Sequence, residues 1–226
     1  CTPFARRGLL AAPAILAEHR RMPSRRIASR PMLAVLLPAI TLAVAFVPCT
    51  TLAQTAPAAY YEIDPVHTRV LFSLDHAGYS RALGTVSGST GTITFSPGDW
   101  SSARVDVTVP LGRLDLGDDA WTRAALGMLD ADEHPEARFT SNRVEPIGPS
   151  AARVCGDLRL HGTTRDTCLD VTFNQLRRYP LPPFHRVAGF SASGHITRSD
   201  FGIDSWTSLV GDTVELRIEA EARYTP

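Results

Sequence analysis

Val214-Glu215-Leu216-Arg217-Ile218-Glu219-Ala220-Glu221-Ala222-Arg223 alternates apolar and charged residues without a break. Successive side chains of an extended chain point to opposite faces, so this pattern makes a β-strand with one dry face and one wet face. The same period recurs upstream. Val70, Phe72 and Leu74 alternate with Arg69, Leu71, Ser73 and Asp75. Val105, Val107 and Val109 alternate with Arg104, Asp106 and Thr108, and Ala188, Phe190, Ala192, Gly194 and Ile196 with Gly189, Ser191, Ser193 and His195. Residues 154–160 and 169–173 read as two further strands around His161-Gly162-Thr163-Thr164, a short Gly-containing loop that fits a hairpin turn. Residues 91–96 and 137–144 complete a set of about eight strands, each with one wet face as in antiparallel sheets. The one helical candidate is 118–129, where Asp118 and Asp119 suit a helix start and Ala120, Ala124, Ala125, Leu126 and Met128 are good helix formers.

The fold expected is therefore all-β, an eight-stranded antiparallel barrel with one short helix, because closure removes the exposed sheet edges. A barrel of that size is either filled by its own side chains or holds one small ligand. Small residues at inward positions (Gly156, Ala188, Ala192, Gly194, Ala220 and Ala222) favour the hollow form.

All 23 basic residues of the 226-residue chain are Arg, so chemistry that needs a Lys nucleophile or a P-loop Lys is excluded. The formal net charge of zero hides an asymmetry: residues 54–226 carry 16 Arg against 22 acidic residues, a net of −6. An acidic domain repels the phosphate backbone, which argues against nucleic acid as a partner and against tight binding to an anionic bilayer. The basic excess sits in front. Met22-Pro23-Ser24-Arg25-Arg26-Ile27-Ala28-Ser29-Arg30 is followed by an apolar run over 31–48 and then by Thr51-Leu52-Ala53, the three parts of a secretory signal peptide. The expected organisation is an upstream extension over 1–21, read as untranslated; a signal peptide over 22–53, cleaved after Ala53; and a barrel domain over 58–226. A retained membrane anchor is the alternative, and the small-residue site directly after the run weighs against it. Export would put Cys155 and Cys168, on the same outer face flanking the hairpin, in a compartment that permits a disulfide; two free thiols are the other reading.

The domain resembles the YceI-like family, the polyisoprenoid-binding, lipocalin-like periplasmic proteins of bacteria. The resemblance is carried by Tyr61-Glu62-Ile63-Asp64-Pro65-Val66-His67-Thr68, Phe72-Ser73-Leu74-Asp75-His76, and Gly91-Thr92-Ile93-Thr94-Phe95. It continues through His134-Pro135-Glu136-Ala137-Arg138-Phe139, Gly156-Asp157-Leu158-Arg159-Leu160-His161-Gly162-Thr163-Thr164, and Gly189-Phe190-Ser191-Ala192-Ser193-Gly194-His195-Ile196-Thr197-Arg198-Ser199-Asp200-Phe201-Gly202. It implies an apolar tunnel that holds a polyprenyl chain, as a prenyl phosphate or an isoprenoid quinone. Some relatives' context suggests transient contact with a membrane or a membrane cytochrome. The chain departs from the family in the helical stretch, where Trp121 is bulkier than the usual residue and bears on the tunnel mouth, and in Cys155 and Cys168.

The lining expected of such a tunnel is Val70, Phe72, Leu74, Phe95, Val107, Phe139, Leu158, Leu160, Phe173, Phe190, Ile196 and Phe201; the competing reading makes the same residues an ordinary packed core. Each buried methylene contributes about 0.8 kcal/mol, so a long chain binds without polar contacts and its head needs only a few donors at the mouth. His76 and Arg198, which continue inward-facing series past their apolar ends, are the headgroup candidates, with Arg81 a weaker one at the mouth. Arg presents paired donors to phosphate. Arg198 has a competing reading as a structural partner of Asp200 or another acid, and His76 as a hydrogen-bonded rim residue. The histidines are scattered, no Gly-x-Ser-x-Gly elbow occurs, and no cofactor or metal is expected. A binding protein is the leading expectation. A small-substrate enzyme using His76, or an interaction module with a filled barrel, are the rivals.

Overall fold

A computed structural model describes residues 58–226; the extension and the signal peptide expected over 1–53 lie outside the described residues. Eleven strands and one helix follow in the order β1 (Ala59–Ile63), β2 (Arg69–His76), β3 (Ser80–Ser87), β4 (Thr90–Ser96), β5 (Asp99–Pro110), β6 (Leu114–Asp115), α1 (Asp119–Met128), β7 (Glu136–Gly148), β8 (Ala151–Leu160), β9 (Thr163–Arg178), β10 (Arg186–Thr197) and β11 (Thr213–Thr225). All pairings are antiparallel, and a β1–β11 ladder closes the ring.

The eleven segments form a closed eight-stranded barrel because three of its staves are each broken once. β11 pairs with β1 through 222–225 and with β2 through 215–219, so β1 and β2 are two halves of one stave. Likewise β4 pairs with β5 and β3 with β6, with breaks at Gly88-Ser89 and at the 3-10 turn Leu111–Arg113. The first break is held by Asp64. Its carboxylate accepts hydrogen bonds from the amides of Val66 (2.9 Å) and His67 (3.3 Å), and its carbonyl accepts from the Thr68 amide (3.0 Å).

The β8–β9 hairpin turns on His161 and Gly162, both at positive φ (51° and 71°), the signature of a two-residue type I′ turn that matches the twist of its strands. That register sets Cys155 directly opposite Cys168, and the two form a disulfide on the outer face. Helix α1 begins where the sequence pattern puts it: the Asp118 side chain accepts from the amides of Ala120 and Trp121, both at 2.9 Å.

Two packed clusters occupy the interior. One, around Phe95, Trp100, Phe190 and Tyr61, fills the end of the barrel beside the β4–β5 hairpin. The other joins Leu126, Met128 and Leu129 of and just after α1 to Leu111, Leu160, Phe201 and Ile203 at the other end.

The inward small residues have a different purpose from the one read in the sequence. A Cβ on Gly156 would stand 2.2 Å from the Thr140 carbonyl oxygen of β7, and one on Gly194 would stand 2.8 Å from Leu169 Cδ2. Ala188 and Ala222 are fully buried in the first cluster. These four make room for neighbouring strands and rings. Of the six, Ala192 and Ala220 border open space.

Candidate functional site: a blind apolar cavity

The barrel encloses a cavity of about 310 Å³. Its existence is visible in the burial pattern of β11: the inward Val214, Leu216, Ile218 and Ala220 face the barrel axis yet keep accessible surface, whereas Ala222 has none. Of the lining set drawn from the sequence, Val70, Phe72, Leu74, Phe95, Val107, Phe139, Leu158, Leu160, Phe190 and Ile196 border it. Two residues of that set do not. Phe173 packs against Phe95 and Phe190, at 4.9 and 5.6 Å between ring centroids, behind the cavity wall. Phe201 is buried in the cluster beneath α1, because the strand ends at Thr197 and the chain enters the 3-10 turn Arg198–Phe201.

The sequence reading left out several wall residues. Val214, Leu216 and Ile218 belong to the clearest alternating stretch of the chain and were recoverable from it. Ala125 and Met128 come from α1 and Leu129 from just after it, and only the docking of the helix against the barrel puts them there.

Among the described residues the polar members of the wall are Thr68, Ser89, Thr167 and Arg198. The Thr68 hydroxyl both donates to the Glu221 carbonyl and accepts from the Glu221 amide, each at 3.3 Å. Arg198 is 4% exposed, and its guanidinium donates to four backbone carbonyls: Ile203 (2.6 Å), Ser205 (2.8 Å), Val210 (2.9 Å) and Gly211 (3.1 Å). This corrects the headgroup reading of Arg198. The residue is structural, as its competing reading had it, but its partners are carbonyls of the 203–211 loop and not an acid.

The other two headgroup candidates fall outside the cavity wall. Arg81 points outward, since Ser73, Arg81 and Glu215 share the wet face; it pairs with Glu215 at 3.0 Å and donates to Ser73. His76 sits near the α1 end of the barrel, half-buried, its ring 5.2 Å from that of Trp121, while its backbone bridges to Val210. The bulky Trp121 thus packs on a residue that continues the inward series of β2.

Most ion pairs lie on the outside. Arg138 grips Asp106 with two hydrogen bonds (2.9 and 2.7 Å), and Arg153 grips Asp170 in the same way (2.9 and 3.3 Å). These hydrogen bonds hold both carboxyls below their ordinary value. Asp64, like Arg198, is a buried charge. Burial works to raise its carboxyl, but the His67 side chain, the Val66 and His67 amides and nearby Arg223 outweigh it and hold the group low. Burial raises the Tyr61 phenol despite the opposing charge of Arg186. Histidines scattered in the sequence meet in space at one point: the rings of His134 and His161 lie 5.6 Å apart, with His161 Nδ1 3.0 Å from the Phe201 carbonyl oxygen. Among the described residues no group of three or more His, Cys, Asp or Glu side chains is placed to hold a metal ion.

Residues 61–222 match the YceI-like domain. A UPF0312 protein of Pseudomonas putida (strain W619) is 33% identical over 178 residues, covering 75% of this chain and 88% of its own. A UPF0312 protein of Pseudomonas savastanoi pv. phaseolicola is 32% identical over 173 residues with the same coverage, 75% and 88%. Among solved structures, BcnA of Burkholderia cenocepacia superposes with a TM-score of 0.63 at 22% identity, over 70% of this chain and 98% of that one. A polyisoprenoid binding domain from Saccharophagus degradans, implicated in plant cell wall breakdown, superposes with a TM-score of 0.55 at 15% identity, over 74% and 99% of the two chains.

Proposed function

The chain belongs to the YceI-like family, and from that membership and the shape of its cavity we propose that it binds a polyisoprenoid lipid, tail inward, for carriage or sequestration in the periplasm. The observation that carries the reading is the apolar cavity inside the barrel, whose one charged wall residue spends four hydrogen bonds on carbonyls. Such a wall offers a hydrocarbon chain about 0.8 kcal/mol per buried methylene, and its arginine has four of its five N–H donors already on carbonyls. Val, Leu and Phe side chains give the branched chain a close-fitting wall. The committed Arg198 favours a neutral head, as on an isoprenoid quinone, over a prenyl phosphate. The Saccharophagus relative described as polyisoprenoid-binding lends support. The signal-peptide pattern over 22–53 and the Cys155–Cys168 disulfide support an oxidising, exported location. Loading from a membrane, or delivery to a membrane cytochrome, completes the proposal. No chemical step is part of it.

The test is an organic extract of the protein purified from its native host, read by mass spectrometry, beside the variant Leu216→Asp. Leu216 faces the void, so a carboxylate there removes lipid binding while the strand ladders stay intact. A prenyl lipid in the wild-type extract and none in the variant supports the reading. Repeated absence of any prenyl lipid from the wild type, with no uptake of an apolar fluorescent probe, sinks it.

A further inference from the structure

The cavity is closed at one end, and the closure is a layer of aromatic rings. Phe95 lies at its centre, 1% exposed, with ring centroids of Trp100 at 4.9 Å, Phe173 at 4.9 Å and Phe190 at 5.3 Å. Three strands mark the level independently. Ala220 of β11, Val154 of β8 and Ala192 of β10 border the cavity, whereas Ala222, Ala152 and Ala188, further along the same inward faces, are fully buried in the cluster that holds the rings.

We propose that the Phe95–Trp100–Phe173–Phe190 layer is a chain-length stop that sets how much of an isoprenoid tail the barrel accepts. The inference rests on the lipid-carrier reading and adds a specificity determinant to it. The open stretch of β11 runs from Val214 to Ala220, about 20 Å along the strand at roughly 3.3 Å per residue, and about 15 Å along the axis once strand tilt is allowed for. A tail that reaches the layer cannot slide on. Moving Phe95 breaks three ring contacts at once, all within the spacing at which aromatic pairs attract. The rings come from β4, β5, β9 and β10, so no single loop movement clears the path. Carbon beyond the stop must fold back or stay outside the mouth, where it loses its burial.

The experiment uses the full chain, freed of lipid, and a graded series of all-trans polyprenols, with affinity measured by displacement of an apolar fluorescent probe. For the wild type, affinity rises with chain length to a limit. Trp100→Ala opens the layer and moves that limit to longer chains, by an isoprene unit or more. Ala220→Leu, which adds carbon directly above the layer, moves it to shorter ones. Ala220→Leu grows into open space, so it keeps the test decisive where Trp100→Ala does not fold. An unchanged limit in a variant whose circular dichroism matches the wild type overturns the stop while leaving the carrier reading standing. Failure of every polyprenol to displace the probe from the wild type overturns the carrier reading and the stop with it.

Discussion

Replacing Arg198 with Met separates a structural arginine from a headgroup ligand. The guanidinium gathers the carbonyls of Ile203, Ser205, Val210 and Gly211, and so ties the 203–211 loop to the end of β10. Ser205 lies at the surface, and its carbonyl regains water when the arginine is gone; Ile203 is buried, and Val210 and Gly211 are half-buried. A buried acceptor left without a donor costs about 1–3 kcal/mol. One buried and two half-buried acceptors, the pair counted together as one and the whole partly offset by the apolar Met side chain, put the loss at about 2–5 kcal/mol. That is a large share of the roughly 5–15 kcal/mol that holds a domain of this size together. In urea the midpoint falls accordingly. Hydrogen exchange localises the damage, since the amides of Ala77 (to Leu209), Ile203 (to Arg198) and Gly211 (to Asp75) lose protection first. The reasoning is refuted if Arg198→Met unfolds within about 0.5 kcal/mol of the wild type, the range of an ordinary surface change. It is refuted equally if the variant keeps its stability and loses affinity for a prenyl phosphate but not for the polyprenol of equal length.

Other substitutions test the fold at separate points. Gly156→Ala brings a Cβ within 2.2 Å of the Thr140 carbonyl oxygen and 2.6 Å of Ser141 Cα, both backbone atoms. It should cost about 3 kcal/mol or more in chemical denaturation, and a silent outcome would mean β7 does not approach so closely. The double variant Cys155→Ala/Cys168→Ala should lose about 2–4 kcal/mol, and the untreated protein should show no free thiol in denaturant among these two residues. Asp64 supplies a pH dependence. Its folded carboxyl lies below the ordinary 3.8, so its contribution is present above that value and is lost as pH falls through and below it. Asp64→Asn keeps an acceptor oxygen but removes the charge, and its stability curve should be flatter than the wild type's on the acid side. Parallel acid limbs would show that Asp64 is not the group responsible.

Much of the barrel was legible one strand at a time. The strict alternation of β11, the Gly-containing turn at His161-Gly162 and the Asp118 helix start each follow from local rules that a short segment obeys alone. The three broken staves were not legible in that way. The Asp64 turn and the Gly88-Ser89 break are recognisable as interruptions only when the ladder shows that both halves pair with one neighbour. The site divides along the same line. Residues inside strands, from Val70 to Ile196, face where parity sends them, and of that set Phe173 alone is screened from the cavity by other rings. Those at strand ends do not: Phe201 is in a 3-10 turn, and Arg198 is turned onto carbonyls that come from a loop several residues further on.

The amino-acid sequence by itself determined that the chain forms one-sided antiparallel strands, which side of each strand is dry, and that the charges within the strands stay outside, because side-chain direction in an extended chain depends on residue parity alone. Tertiary structure alone decided that the dry sides enclose a void closed at one end. Whether an inward alanine borders empty space, as Ala220 does, or is buried in a packed cluster, as Ala222 is, depends on what other strands bring to the same height. That height is set by stagger and tilt around the ring, which no single segment encodes.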